Sequence, residues 1–193
     1  MVKTSIEDIF SLTQPGTLAR RVFKGDVQLQ HFQTRVFVPD QNYTIEQFLI
    51  GVDEQHHYQQ LRKICENVRD LPRSKEFGTG VIEAFKNAYQ HGHKKNRKKK
   101  IEVAYKETLT QFEVVVNDRG GQLHADFIPF VLMHRQEVDK PFSFYTFAPN
   151  IKQHPENGGI GTYLIHSVSD EVHYFKNQYN GLGVQLIKYK VRE

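Results

Sequence analysis

The chain is poor in the features that mark exported, membrane-spanning or cross-linked proteins. It has one cysteine, Cys65, in 193 residues, so no internal disulfide can form. Cys65 falls on an apolar helical pattern, where a small buried thiol is the expected state, and a reducing, cytoplasmic setting is the expectation that follows. No apolar run approaches the roughly 18 residues needed to cross a bilayer, so no membrane contact is expected. The stretch 1–8 carries acids early and has no apolar core of the signal-peptide kind, so no export signal is expected there. An excess of basic charge is lacking too, outside one place. The formal net charge is +4, yet Lys94, Lys95, Arg97, Lys98, Lys99 and Lys100 supply six positives, leaving −2 on the remainder. A nucleic-acid surface needs a basic face or stripe with aromatics among the charges, so nucleic acid is the last partner to expect. The cluster reads as a solvated loop between a helix and a strand, with a patch for an acidic partner as the alternative.

What is present suits one globular domain. Hydrophobic residues make up 38% and charged residues 25%, and the length allows a sizeable core but not comfortably two. A short helix at 5–12 is ended by Pro15-Gly16 and carries no assignable chemistry. Val27 to Val38 alternates, with Phe32, Thr34, Val36 and Val38 on one side, and predicts a strand closed by Pro39. Thr44 with Gln47 forms a capping-box pattern. It predicts a long helix to about Leu71, with Ile45, Phe48, Leu49, Val52, Leu61, Ile64 and Val68 as its buried stripe. His56 and His57 on that helix read as surface histidines, since Glu54–Tyr58 does not resemble a phosphoacceptor motif. Pro72 breaks the helix, and Gly78-Thr79-Gly80 leads into the next.

That next helix, 81–92, is the centre of the pattern. Val81, Ala84, Phe85 and Ala88 fall at i, i+3, i+4 and i+7 and share a core-facing side. Glu83, Asn87 and His91 lie four apart, one turn above another along its border. Gly92 suits a left-handed cap. Strands at 101–106 and 111–117 form a hairpin, and the second runs into Asp118-Arg119-Gly120-Gly121. The stretch 122–157 has no clear period. It holds a possible helix at Phe127–Met133, an aromatic group of Phe142, Phe144, Tyr145 and Phe147, and four prolines. A connection this long moves or binds something, or is an ordered insertion. Glu156-Asn157-Gly158-Gly159-Ile160-Gly161-Thr162 is a glycine-rich loop entering a helix to Ser169, with Leu164, Ile165 and Val168 inward. Strands at 172–176 and 184–191, joined by Asn180-Gly181, finish the chain. The order β-α-α-β-β-loop-α-β-β, with hairpins between strands, predicts an α/β two-layer sandwich. A mixed, mostly antiparallel sheet would have helices on one face.

E-x-x-x-N on a helix, D-x-G after a strand, then G-G-x-G into a helix: in this order the three motifs resemble the GHKL (Bergerat-fold) ATPase family. Within it, Glu83–His91, Asp118–Gly120 and Gly158–Asp170 look most like the small anti-sigma-factor serine/threonine kinases. The resemblance implies a histidine-kinase-like ATPase domain over 27–193, an N-terminal extension over 1–26 and an ATP lid over 122–157. It implies ATP and Mg²⁺ as ligands. Asn87 would supply an amide oxygen to magnesium without adding charge beside the phosphates. Glu83, one turn earlier, would act as general base, and His91 matches the pattern with a less fixed role. Asp118 would accept from the adenine amine, with Gly120 and Gly121 letting backbone approach the base. Gly158, Gly159, Ile160, Gly161 and Thr162 would offer backbone N–H groups and a helix N-terminus to the phosphates. Partners implied are a small anti-sigma-antagonist-like protein and a sigma-factor-like protein, with a possible homodimer. Two departures stand out. Gln122 occupies a frequently small position, and Gly181–Gln185 lacks the threonine many relatives carry there. The alternatives are a nucleotide-binding interaction module without kinase activity and the ATPase part of a histidine kinase system. The basic loop, leaving the helix end away from Asn87, is expected to be dispensable for nucleotide binding.

Overall fold

The computed structural model describes residues 36–49, 53–93, 96, 98–120, 159–179 and 181–191. The expected helix at 5–12, the strand before residue 36, the segment 122–157, Gly121 and Gly158 lie outside these residues. Six strands form one sheet: β1 Val36–Phe37, β2 Thr44–Leu49, β3 Lys100–Glu107, β4 Gln111–Asn117, β5 Glu171–Asn177 and β6 Leu182–Tyr189. Their spatial order is β1-β5-β6-β4-β3-β2. Every neighbouring pair is antiparallel except β1 with β5, which run parallel. Three α-helices, α1 Glu54–Glu66, α2 Ser74–Asn87 and α3 Gly161–Val168, and a π-turn over Ala88–Gly92 complete the described elements. The expected two-layer α/β sandwich is present.

The predicted long helix from Thr44 is replaced by a strand and a shorter helix. Thr44–Leu49 pairs along its length with β3, from Thr44 opposite Tyr105 to Leu49 opposite Lys100. Ile45 and Leu49, placed in a buried stripe by their spacing, are 47% and 41% exposed on this edge strand, and of the two strand faces only Phe48 is buried. Local capping chemistry lost to cross-strand pairing. The helix is opened instead by Asp53, whose carboxylate accepts the N–H of His56 at 3.0 Å. Glu46 ties strand to helix and sheet, accepting from Gln60 Nε2 at 2.5 Å and from the Tyr105 hydroxyl at 3.1 Å.

α2 starts at Ser74, not after the glycines. Gly78 and Gly80 sit inside it and are buried, and their role is close packing. A Cβ at Gly80 would stand 2.5 Å from Val168 Cγ2, and one at Gly78 would stand 3.6 Å from the Cβ of Cys65. So α2 lies between α1 and α3, and its apolar side meets the sheet. Phe85 packs edge-on against Phe48 at 5.3 Å, and Phe77 against Phe112 at 6.1 Å. Burying each such ring is worth about 1.5–3 kcal/mol. Cys65 is fully buried in the same core, as expected.

Alternation divides the sheet into two faces. Ile101, Val103, Phe112, Val114, Val116, Val184 and Leu186 look to the helices. Phe37, Ala104, Val115 and Phe175 form a second, smaller apolar cluster. Beside it lies a polar network on the same face. Glu113 accepts from the Tyr43 hydroxyl at 2.6 Å, from Gln111 Nε2 at 2.8 Å and from Gln185 Nε2 at 2.8 Å, with Lys106 Nζ at 3.5 Å. Burial alone would raise the Glu113 pKa, but these bonds and the lysine charge hold it below the ordinary carboxylate value.

Candidate functional site

The two helices that carry motifs, α2 and α3, meet at Gly161. Glu83 and Asn87 lie one turn apart on α2, both half-buried. A Cβ at Gly161, the first residue of α3, would stand 3.1 Å from Glu83 Oε2 and 3.6 and 3.7 Å from Asn87 Nδ2 and Oδ1. Glycine therefore leaves bare backbone of a helix N-terminus against the carboxylate and the amide. Glu83 also takes Lys86 Nζ at 2.7 Å, and that ammonium lies 5.5 Å over the Tyr58 ring. Half-buried beside these groups, the Tyr58 hydroxyl has its pKa pushed up to about 12, by burial first, with Glu54 and Glu83 adding to the effect.

His91 does not continue the row. After Asn87 the helix widens into a π-turn over Ala88–Gly92, seen in the bond from His93 N–H to the Ala88 carbonyl at 2.9 Å. The i→i−5 spacing inserts a residue into the turn, so positions beyond it rotate away from the Glu83–Asn87 line. His91 is exposed there. Gly92 is not a left-handed cap, since positive φ at glycine is confined, among the described residues, to Gly120 and Gly159. Gly92 serves close approach instead: a Cβ on it would collide with the Asp118 carboxylate.

Asp118 ends β4 and is 3% exposed. Its Oδ1 accepts the backbone N–H groups of Gly120 at 3.0 Å and Leu182 at 3.1 Å. The turn from β5 to β6 packs on it as well, because a Cβ at Gly181 would also strike Asp118. Asn177, buried, organises that turn. It donates to the Asp118 carbonyl at 2.7 Å and accepts from Gly181 and Tyr179 N–H, each at 2.9 Å. The place where the expected threonine is missing is thus built from glycine backbone and an asparagine one strand away.

At the entrance to α3, Gly159 has φ of 70°, the left-handed region that disfavours a side chain. Ile160 is the N-cap and offers no oxygen, so no side chain caps the helix. The start of α3 is thus a helix N-terminus that no described side chain caps, the kind of position where an anion is favoured. Thr162, the second residue of α3, is buried.

Several neighbours were not legible as site residues. His93 accepts the Arg119 N–H at 2.8 Å through Nε2, and Lys99 Nζ donates to the Arg119 carbonyl at 3.0 Å. Lys99 therefore departs from the expectation that the whole basic loop stands apart from the pocket. The Arg119 guanidinium stacks 4.3 Å over the Tyr179 ring, and the Tyr179 hydroxyl donates to Glu102 at 2.5 Å. Glu102, buried, also accepts from Asn117 Nδ2 at 3.2 Å. The two histidines of α1 differ: His56 is exposed, but His57 is half-buried, packed 5.3 Å from Phe48. Among the described residues there is no cluster of three or more His, Cys, Asp or Glu side chains that could hold a metal ion. An amide and a carboxylate facing a helix N-terminus, with a buried carboxylate at a strand end, fit a magnesium–triphosphate and a base with an exocyclic amine.

No helix among the described residues is long and apolar enough to cross a membrane. No curated protein matches the chain. A family model described as a histidine kinase-like ATPase domain matches residues 54–188, well over half of the chain, and spans Glu83, Asn87, Asp118 and the 158–162 loop. The chain belongs to the histidine kinase-like ATPase domain family, a GHKL-type ATPase fold with the nucleotide binding that such a domain implies.

Proposed function

We propose that this protein is an ATP-binding regulatory kinase of the anti-sigma-factor type, passing the γ-phosphoryl group to a serine or threonine hydroxyl of a small partner protein. The observation that carries the reading is the meeting of Gly161 with Glu83 and Asn87. It sets a candidate base and a candidate magnesium ligand against the N–H groups of a helix start, where phosphate oxygens are favoured. The Asn87 carbonyl oxygen would hold the ion, which when bound neutralises charge on the transferring group. Glu83 would take the hydroxyl proton, and for that its carboxylate must give up Lys86. Asp118 would take the adenine amine. The motif order and the absence of a phosphoacceptor motif around His56 and His57 support serine or threonine rather than histidine as acceptor. A sigma-factor-like protein as second partner, and a homodimer, belong to the same proposal.

The Lys86–Glu83 pair favours one second reading, a nucleotide-dependent interaction module that transfers nothing. Two measurements separate them. ATP should raise the melting temperature, more with magnesium than without. Labelled γ-phosphate should then appear, stable to acid, on a partner captured by the ATP-loaded protein. Binding without transfer to any captured partner supports the second reading, and acid-labile label would mark a histidine kinase system. No stabilisation by ATP under either condition would sink both readings.

A further inference from the structure

His93 follows the π-turn and is 2% exposed. Its Nε2 receives the Arg119 N–H at 2.8 Å. A backbone amide only donates, so Nε2 must be the bare nitrogen and the ring proton of neutral His93 sits on Nδ1. That Nδ1 is buried with no hydrogen-bond partner among the described residues. Lys99 Nζ holds the carbonyl of the same residue at 3.0 Å. Both polar backbone groups of Arg119 are thus held by side chains of the segment leaving α2. His93 holds the peptide that joins Asp118 to Arg119 and Lys99 holds the next one, and Gly92, one residue before His93, packs against the Asp118 carboxylate.

We propose that His93 and Lys99 are positioning residues of the nucleotide pocket: they clamp the Arg119 peptide and with it Asp118, and protonation of His93 opens the clamp. The inference rests on Asp118 being the adenine acceptor. A proton on Nε2 turns an acceptor into a donor facing another donor, so the peptide must move away. Among the described residues, the charged groups facing the ring are the Asp118 carboxylate, which favours that proton, and Lys99 and Arg119, which oppose it. Burial opposes it most, and the ring is held below its ordinary value of 6.5. The clamp is therefore closed at neutral pH and opens in acid.

His93→Gln tests this, because its amide oxygen falls about where Nε2 sits and accepts without titrating. His93→Leu fills the space and accepts nothing, and Lys98→Gln is the control on an exposed neighbour. ATP affinity is measured by calorimetry from about pH 7.5 to about pH 5, and the ratio to His93→Gln removes titration of the phosphates and of other side chains. Wild type and Lys98→Gln should match His93→Gln at the upper end and lose about tenfold against it at the lower, the loss expected for one buried hydrogen bond. His93→Leu should be about tenfold weak throughout. If the His93 variants do not fold, Lys99→Met carries the test: it should bind several-fold more weakly, with the loss in acid still present and moved to higher pH because a charge opposing the His93 proton is gone, and unchanged affinity overturns the clamp. In the nucleotide-free protein, the Arg119 amide resonance should follow His93 protonation in wild type and not in His93→Gln. A flat affinity ratio overturns the proposal. If wild type binds no adenine nucleotide at pH 7.5, the nucleotide reading fails, and the clamp is judged by the Arg119 amide: following His93 supports it, ignoring His93 overturns it.

Discussion

Asn87 and Glu83 sit one turn apart, yet their substitutions should fail differently. Asn87→Ala removes the amide oxygen offered to magnesium, so ATP affinity should lose its dependence on the ion. Glu83→Gln keeps shape and hydrogen bonding but accepts no proton. It should bind ATP normally and lose roughly 10²–10⁴-fold in transfer rate, the usual range for a general base. Steady-state transfer and calorimetry with and without magnesium separate the two, and full activity in Glu83→Gln would remove the catalytic assignment. Neither change touches Val81, Ala84 or Phe85, so the melting temperature should stay within a few degrees of wild type. Gly161→Ala asks the complementary question from α3. Its methyl would stand 3.1 Å from Glu83 Oε2, a crowding that a flexible side chain can relieve. The fold should survive and ATP affinity should fall by about tenfold, because the methyl takes the space between the helix N-terminus and the α2 pair. Unchanged affinity would place the phosphates elsewhere.

Glycine does the work of placing whole elements here. Gly80 lets α2 and α3 close to contact, and Gly92 lets the end of α2 close on Asp118. Gly80→Ala drives a methyl into Val168 and should destabilise by about 1–3 kcal/mol, read by chemical denaturation. Gly92→Ala meets a carboxylate instead, and should cost ATP affinity as well as stability. If it cost stability alone, Asp118 would not be the base-binding group. Each of these glycines reads locally as a turn or cap signal; their packing role exists only because another element arrives over them. The same holds for Thr44–Leu49, where a capping-box pattern and helical spacing are outweighed by six residues of pairing with β3. In contrast α3, β4 and the hairpin strands are legible, since their apolar periods coincide with the burial that tertiary packing imposes.

For the molecule as a whole, Cys65 provides a probe of global opening. It is fully buried, and burial, with a smaller effect of Glu66, pushes its pKa up to about 12. A thiol reagent should label it only through unfolding, and ATP at about 100 times its Kd should slow labelling by roughly 100-fold, because ligand binds the native state alone. Labelling at the rate of a free thiol would contradict the burial, and no slowing by ATP would contradict the binding. Acid should act on stability in two stages. His93 and His57 are both held below 6.5, chiefly by burial. The unfolded chain therefore binds more protons there, and their stabilisation, complete above that value, drains as pH falls below it. Glu113 is held below its ordinary 4.5. Its contribution is present above that value and is lost as pH falls further, through its lowered pKa. Denaturation series at fixed pH should show the first loss reduced in His93→Gln and the second reduced in Glu113→Gln.

The sequence by itself determined the fold class, the central helix and the order of three motifs. These rest on short-range periods and on glycine, aspartate and asparagine at fixed spacing, which local geometry reads directly. Only the tertiary structure decided that Gly161 faces Glu83 and Asn87, that His91 leaves their row, and that Lys99 holds the Arg119 carbonyl beside Asp118. It also decided which nitrogen of His93 is bare, through an amide 26 residues away. Such facts depend on where two distant segments come to rest, and a proton or a methyl group responds to that neighbour, not to its own place in the chain.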